Sequence, residues 1–355
     1  MRIVTSTTDS FQYLLDLASS WDGYISVAIY TRHTDMTLKK LSHAINSFIR
    51  HHPKLIGSKV FFHLVINKRE TVSDEPDFTD FYPINFLRNL AMDNSLTDFV
   101  LNLDANFVPS LDSYHQIQSH LSQLPNNKTV MILPLFERMQ NSNAQLVPAS
   151  KRALFDEIED NPYEIYPPVS DFMSYRSYGP IDYPRWYKAT DPYQVGYKGD
   201  FKPYYVVQKS VGLPPFWEHF REENMISWVE EITLLGYEFY VDPDAFLVHT
   251  TNPISEINFN TEIEDEVVEF RSYLEVTYGD AHWMNTKKYA LKGWSRLPDE
   301  AIAAAEVLGF NRNSWDENDL IPLYEEELSN LDYKEQEAIT LLGLESYFAL
   351  PAPKH

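Results

Sequence analysis

The 355-residue sequence contains no cysteine and only 11 glycines. Without cysteine the chain cannot have a disulfide, a thiolate zinc site or a cysteine nucleophile. Its composition is therefore compatible with both oxidising and reducing compartments. The glycines form neither G-x-G-x-x-G nor G-x-x-x-x-G-K-[ST], which disfavours a nicotinamide enzyme on a Rossmann sheet. Phosphate binding in this chain would therefore need another source of positive charge, such as a metal ion or arginines.

Basic residues and long apolar runs are also scarce. Against 52 Asp and Glu there are 29 Lys and Arg, which gives a net charge of −23. This charge repels nucleic acid and anionic membranes, so we expect no nucleic-acid partner. No run approaches the roughly 18 apolar residues of a membrane span, and the N-terminus lacks the pattern of a signal peptide. We expect a soluble, cytoplasmic chain, or one from which a membrane anchor has been removed.

Alternating strand and helix patterns predict an α/β fold with a mostly parallel sheet, because consecutive strands joined by helices form parallel βαβ units. The 44% hydrophobic content supports a sizeable core. Helices are predicted over 10–20, 38–48 and 85–91, and strands over 2–5, 24–30, 60–66, 99–103, 129–135, 237–241 and 245–249.

The apolar run from Phe99 ends at Asp104-Ala-Asn106. Strand ends at the rim of an α/β sheet are where ligands bind, and the two side chains offer hard oxygen ligands to a divalent cation. The alternative is that both residues only form a turn, since Asp and Asn commonly end strands.

Residues 160–220 are dense in Tyr, Pro and Trp, which favours either flat surfaces for sugar rings or aromatic packing within a loop-rich region. Beyond about residue 290, residues 297–310 recur loosely as 331–344, each as an amphipathic helix with Gly309 or Gly343 at its C-cap. Two copies cannot form a solenoid, so we predict a small helical tail that docks on the main domain or on a partner.

Six segments together resemble glycosyltransferase family 49, whose animal members are glucuronyltransferases acting on the glycan of dystroglycan. They lie in the family's order at 21–30, 82–91, 103–109, 134–137, 185–193 and 237–249. The resemblance implies a GT-A-like domain over 1–285 followed by the tail over 286–355. It also implies a UDP-sugar donor, a glycan acceptor, Mn²⁺ (or Mg²⁺), inversion at the anomeric carbon, and work in the Golgi lumen behind a membrane anchor.

The resemblance also implies roles for individual residues. Asp104 and Asn106 stand at the family's Asp-x-Asp, and His249 stands at its downstream metal-ligand histidine; an imidazole beside oxygen donors suits manganese. Taken alone, His249 would be a hydrogen-bonded residue at a strand end. Trp186 and Tyr193 are predicted to line the acceptor side. The predicted nucleotide contacts, with Asp104, are Thr5, Ser6, Tyr82, Asn85, Arg88 and Asn89. Arg88 has the alternative of being half of a structural ion pair, and the hydroxyl residues that of being helix caps.

Three positions depart from the family. Asn106 replaces the second acid, which should weaken metal binding. Ser177-Tyr-Gly replaces a Gly-His motif, and 220–225 lacks the family's two glycines and lysine. In that loop Glu223, then Glu222, are our candidates for the base that deprotonates the acceptor hydroxyl, the alternative being that both are solvated surface residues. The sequence therefore predicts a metal-dependent inverting glycosyltransferase, with glucuronate as one possible sugar, or a decayed relative that binds glycans or acts as a scaffold.

Overall fold

A computed structural model describes residues 1–7, 11–32, 35–67, 82–139, 147–169, 177–197, 201–209, 212–219, 225–249, 263–278, 294–316, 323, 330–342 and 344. The strands in these ranges are β1 Arg2–Thr7, β2 Tyr24–Arg32, β3 Val60–Asn67, β4 Phe99–Asn102, β5 Phe107–Pro109, β6 Thr129–Leu133, β7 Leu135–Arg138, β8 Ile165–Tyr166, β9 Tyr193–Val195, β10 Tyr204–Gln208, β11 Glu238–Val241 and β12 Leu247–His249. The α-helices are α1 Gln12–Ser20, α2 Asp35–His51, α3 Ile84–Asp93, α4 Ser113–Leu121, α5 Lys151–Asp160, α6 Tyr183–Trp186, α7 Met225–Leu234, α8 Ile263–Tyr278, α9 Asp299–Val307, α10 Arg312–Asp316 and α11 Tyr333–Leu342.

Of the two sheets that the described residues form, the larger has eight strands in the order β3-β2-β1-β4-β10-β6-β11-β9. The pairs β3/β2, β2/β1, β1/β4 and β6/β11 are parallel, whereas β10 is antiparallel to both of its neighbours and β9 is antiparallel to β11. The helices α1 and α2 connect β1, β2 and β3 as the predicted βαβ units. This architecture confirms the predicted α/β fold with a mostly parallel central sheet.

The second sheet has four strands in the order β5-β12-β7-β8. It exists because the strand predicted over 129–135 is in fact two strands, and that prediction was wrong. Pro134 has no backbone N–H to donate to a ladder, so the strand breaks there. Its carbonyl accepts a hydrogen bond from Leu247 N at 2.8 Å. β6 therefore stays in the large sheet, while β7 pairs with β12 in the small one.

Trp186 and Tyr193 lie in the core, not on a ligand-facing surface. The Trp186 side chain is 0% exposed, packs 5.4 Å from the ring of Phe136 and donates from Nε1 to the carbonyl of Asp242 at 2.8 Å. Tyr193 is 6% exposed and donates to the carbonyl of Ile181 at 2.6 Å. The predicted acceptor-side role of these two residues is corrected accordingly, because side chains with so little exposed surface cannot stack on a sugar.

The C-terminal helices α9 and α11 share an apolar cluster of their own, which includes Leu297, Leu308, Ile339 and Leu342. Both predicted helices are present, and Gly309 has a φ of 90° at the end of α9, which confirms it as a C-cap. The C-terminal ends of α9 and α11 have the same hydrogen-bond pattern. Phe310 N donates to Ala305 O at 3.0 Å, and Leu344 N donates to Ile339 O at 2.9 Å.

Gly343 and the predicted domain boundary near residue 285 lie outside the described residues, so the division into two domains stays a prediction. Within the described ranges, no helix has both the length and the hydropathy needed to cross a membrane.

Lys151 links three separate segments at the edge of the core. Its ammonium group donates to the carbonyls of Trp186 at 2.7 Å, Ala189 at 2.9 Å and Pro243 at 2.7 Å, and it lies 4.6 Å from the centre of the Trp186 ring. Burial lowers the pKa of Lys151. Lys151 therefore fixes the segment before β9 against the turn between β11 and β12.

We expect Lys151→Met to lower the free energy of unfolding by about 2 to 3 kcal/mol, because three carbonyls lose their charged donor. Lys128→Met is the matched control, since Nζ of Lys128 donates to a single carbonyl, that of Leu235 at 2.9 Å, in an exposed setting. The control should cost less than about 1 kcal/mol. Urea unfolding at neutral pH measures both values, and equal losses in the two variants would contradict the anchoring role.

Candidate functional site

The three predicted metal ligands lie at the junction of the two sheets. β4 of the large sheet ends at Asn102 and β5 of the small sheet begins at Phe107, so Asp104 and Asn106 occupy the turn between the sheets. The turn is closed by a hydrogen bond from Phe107 N to Asp104 O at 3.1 Å. His249 ends β12, the neighbour of β5. The fold therefore brings His249, which comes much later in the sequence, next to the turn that contains Asp104.

His249 is completely buried and is held on three sides. Its Nε2 lies 2.8 Å from Nδ2 of Asn106, and its Nδ1 lies 2.7 Å from Oε2 of Glu137. The ring of Phe107 stacks on the imidazole with 4.4 Å between centroids and 10° between planes. Two of the three predicted ligands, Asn106 and His249, are therefore in direct contact.

Asp104 is held by two hydrogen bonds. Oδ1 accepts from Arg88 at 2.8 Å and Oδ2 accepts from the hydroxyl of Tyr204 at 2.8 Å. The Arg88 side chain is only 2% exposed and lies 5.4 Å over the ring of Phe216. The alternative that Arg88 forms a structural ion pair therefore agrees with the geometry. Tyr204 also packs 4.4 Å from Phe107, and so joins the Asp104 contacts to the His249 contacts.

The donor set at this junction fits the divalent cation that the resemblance implies. The two hydrogen bonds to Asp104 leave about half of the roughly four lone-pair positions of a carboxylate for other partners. The contact between Glu137 and Nδ1 of His249 has the form in which a carboxylate orients a metal-binding histidine through its other nitrogen. Imidazole with carboxylate and amide oxygens is a donor set that suits Mn²⁺.

The fit depends on the amide of Asn106. Among the described residues, no group of three or more His, Cys, Asp or Glu side chains is arranged to hold a metal ion. An amide oxygen is a neutral ligand, so a cation at this junction would be held less tightly than by two acids.

Ser6, at the end of β1, and Tyr82, before α3, lie near Asp104. Burial raises the pKa of Tyr82 to about 12, with smaller effects from Ser6, Asp104 and Arg88, so these four side chains are close in space. Thr5 is 1% exposed and is turned into the protein, whereas Ser6 is only half-buried. Of these two predicted nucleotide contacts, only Ser6 has appreciable exposed surface, and Thr5 is corrected to a residue of the protein interior.

Asn85 and Asn89 contact the protein's own backbone. Asn85 donates to the carbonyl of Trp217 at 2.9 Å; Asn89 donates to the carbonyl of Phe216 at 2.9 Å and accepts from Phe216 N at 2.7 Å. The predicted role of Asn89 as a nucleotide contact is corrected to that of an anchor for the segment 212–219, because both of its amide hydrogens already have partners within the protein. Asn85 anchors the same segment through Trp217, while its Oδ1 has no partner among the described residues. Glu222 and Glu223 lie outside the described residues.

Sequence reasoning missed three residues of the site: Phe107, Glu137 and Tyr204. Glu137 ends the family-like segment 134–137, and Phe107 lies within the segment 103–109, so their positions in these segments were usable signals. Tyr204 is one of many tyrosines in its region, and nothing in the sequence marks it out.

A buried histidine and aspartate fix the entrance to β12. Asp242 is 0% exposed, and its Oδ1 accepts from the backbone N–H groups of Asp244 at 3.0 Å and Ala245 at 2.8 Å. Its Oδ2 lies 2.9 Å from Nδ1 of His120 on α4. The hydrogen bond with Asp242 raises the pKa of His120, although burial acts in the opposite direction.

The chain is similar to known glycosyltransferases. The model of a family described as "Glycosyl-transferase for dystroglycan" matches residues 2–80 and 77–276. Xylosyl- and glucuronyltransferase LARGE2s of Gallus gallus is 28% identical over 254 residues, which are 68% of this chain and 30% of that protein. Glycosyltransferase-like protein gnt14 of Dictyostelium discoideum is 29% identical over 264 residues, which are 72% of this chain and 38% of that protein. This chain therefore spans well under half the length of these relatives.

Among solved structures, the chain is similar to S. aureus TarS 1-349 in complex with UDP. The TM-score is 0.43 and the identity 13%, with 98% of this chain and 90% of that chain covered.

We expect the His120 interaction to make stability depend on pH. Because the folded-state pKa is raised, its contribution is complete below the unfolded value of about 6.5 and is lost as pH rises through the folded value. His120→Gln should therefore lower the free energy of unfolding most near pH 5.5 and progressively less above pH 7, as urea unfolding across this range will measure. His115→Gln, at an exposed position, is the control. A His120→Gln effect that does not change with pH would contradict this account.

Proposed function

The chain belongs to glycosyltransferase family 49, and on that premise we propose that it transfers a sugar from a UDP-sugar to a hydroxyl group of a glycan in a metal-dependent, inverting reaction. The observation that carries the proposal is the contact of Asn106 with His249 at 2.8 Å, across 143 residues of sequence, beside the turn that holds Asp104. A carboxylate, an amide and an imidazole meeting at the ends of β4 and β12 form a donor set for one divalent cation and, through it, a diphosphate.

We propose that Ser6 and Tyr82 contact the nucleotide. Ser6 is half-buried at the carboxyl end of β1, which is parallel to β4, so both strands end at the same edge of the sheet. Strand ends at such an edge are the usual location of nucleotide pockets. In this proposal Arg88 does not contact the nucleotide directly. Its buried guanidinium group instead holds the carboxylate of Asp104 in place.

Transfer with inversion requires one direct displacement. A carboxylate takes the proton of the acceptor hydroxyl, the hydroxyl oxygen forms a bond to the anomeric carbon, and the bond from that carbon to the β-phosphate oxygen breaks. UDP leaves with the electron pair. Asp104, Asn106 and His249 would hold a Mn²⁺ or Mg²⁺ ion, whose positive charge would stabilise the departing diphosphate. Glu223, and after it Glu222, remain our candidates for the base.

The test of the metal site is best made at Asn106. Replacing Asp104 would also remove the partner of the buried Arg88, and a loss of binding would then be confounded with a loss of stability. Asn106→Asp instead adds a charge at the same size and restores the two acids of the family pattern.

We expect Asn106→Asp to raise Mn²⁺ affinity, measured with UDP present by the electron paramagnetic resonance signal of free Mn²⁺, by about tenfold, because a charged oxygen binds a dication more tightly than an amide oxygen. Asn127→Asp makes the same change at an exposed position and should leave the affinity unchanged. Equal affinities of wild type, Asn106→Asp and Asn127→Asp would show that no cation binds at this junction.

The donor sugar can be identified by ligand-dependent stabilisation. With Mn²⁺ present, the preferred UDP-sugar should raise the apparent free energy of unfolding by about 2.7 kcal/mol at a concentration one hundred times its Kd, and the other sugars by less. The same sugar should be slowly hydrolysed to UDP. Glu223→Gln should retain the stabilisation and lose the hydrolysis. Stabilisation by glycans but by no UDP-sugar would favour the alternative of a glycan-binding relative without activity.

A further inference from the structure

Four residues of the small sheet lie side by side on adjacent strands. The strand register pairs Phe107 of β5 with His249 of β12, His249 with Glu137 of β7, and Glu137 with Tyr166 of β8. Paired positions on adjacent strands project to the same face of a sheet. Phe107, His249, Glu137 and Tyr166 therefore form one cross-strand row, and the position of Glu137 beside His249 is fixed by the backbone ladder.

Contacts between the side chains agree with the register. Oε2 of Glu137 lies 2.7 Å from Nδ1 of His249, and the Phe107 ring covers one face of the imidazole. Burial raises the pKa of Tyr166, and the charge of Glu137 acts in the same direction, which agrees with the pairing of the two residues on β8 and β7. The carboxylate is 14% exposed, against 0% for the His249 side chain.

This geometry decides which nitrogen of His249 carries the proton. An ionised carboxylate only accepts hydrogen bonds, so Nδ1 must be the donor to Glu137. In the neutral imidazole, Nε2 then has the lone pair, and in the metal-free protein it accepts a hydrogen bond from Nδ2 of Asn106 at 2.8 Å. Without an acceptor at Nδ1, the ring could take the other tautomer, in which Nε2 carries a hydrogen and cannot bind a cation.

We propose that Glu137 is a positioning residue that holds His249 in the tautomer and orientation in which Nε2 can bind a divalent cation. This inference rests on the proposed function for the cation. Its structural half, the control of the His249 tautomer by Glu137, can be tested on the metal-free protein.

The test uses Glu137→Gln, which keeps an acceptor of the same shape without the charge, and Glu137→Ala, which removes the acceptor. Glu157→Gln is the matched control, because Glu157 pairs with Arg138, the next residue of β7, and is similarly shielded at 21% exposure. The probes are Mn²⁺ alone, followed by electron paramagnetic resonance, and ¹⁵N-histidine NMR of metal-free protein. The Nδ1–H of a fully buried ring exchanges slowly enough to be observed.

We expect Glu137→Gln to lower Mn²⁺ affinity by about tenfold and Glu137→Ala by up to about 100-fold. Glu157→Gln should stay within about twofold of wild type. In the NMR spectra, the Nδ1–H signal of His249 should shift in Glu137→Gln, because the hydrogen bond to an amide is weaker, and in Glu137→Ala the ring should show both tautomers.

Two failures can be told apart. If wild type binds no Mn²⁺, the metal-dependent function fails, while the NMR comparison still decides the role of Glu137. If the His249 signals of Glu137→Gln match those of wild type, or if Mn²⁺ binds wild type and Glu137→Gln equally, the positioning role is overturned. Glu137→Gln keeps the size of the side chain, so the result does not depend on whether Glu137→Ala folds.

Discussion

The guanidinium group of Arg88 is almost completely buried, and a charge in that position must be neutralised. Asp104 supplies the opposite charge at 2.8 Å, and Phe216 covers the cation from another side. Removing one partner of such a pair leaves an uncompensated charge, which costs several kcal/mol. This ion pair joins α3 to the turn after β4, and the position of Asn106 beside His249 follows from that turn.

The pair also explains why structural and functional interpretations of Asp104 need not compete. The same carboxylate that neutralises Arg88 and accepts from Tyr204 keeps lone pairs for a further partner. In the proposed function, a carboxylate fixed in this way does not have to be ordered when a cation binds, which lowers the entropic cost of binding. Holding Asp104 and His249 by neighbouring side chains is thus a form of preorganisation that a flexible loop could not provide.

The aromatic residues divide between two roles that composition alone did not separate. Trp186 and Tyr193 lie in the core, where the indole N–H and the phenol find backbone carbonyls, as buried aromatics of this type usually do. Phe107 and Tyr204 were not predicted as site residues, yet they pack against each other at the junction. Phe107 stacks on His249, and Tyr204 donates a hydrogen bond to Asp104. Whether an aromatic residue packs in the core or contacts the site depends on where it is buried, and that depends on which strands become neighbours.

The sequence by itself determined the α/β class, the first βαβ units and the C-terminal helices, because hydrophobic periodicity and short motifs are local properties. Asp104, Asn106 and His249 stay the predicted metal ligands. The sequence could not give the break at Pro134, since a proline within an apolar run is compatible with one strand or two until the partners of each half are known. Only the tertiary structure decided that Glu137 lies beside His249, that Asn85 and Asn89 hold backbone, and that Arg88 is buried against Asp104. These contacts join residues that are 16 to 132 positions apart in the chain, so local sequence patterns do not reveal them.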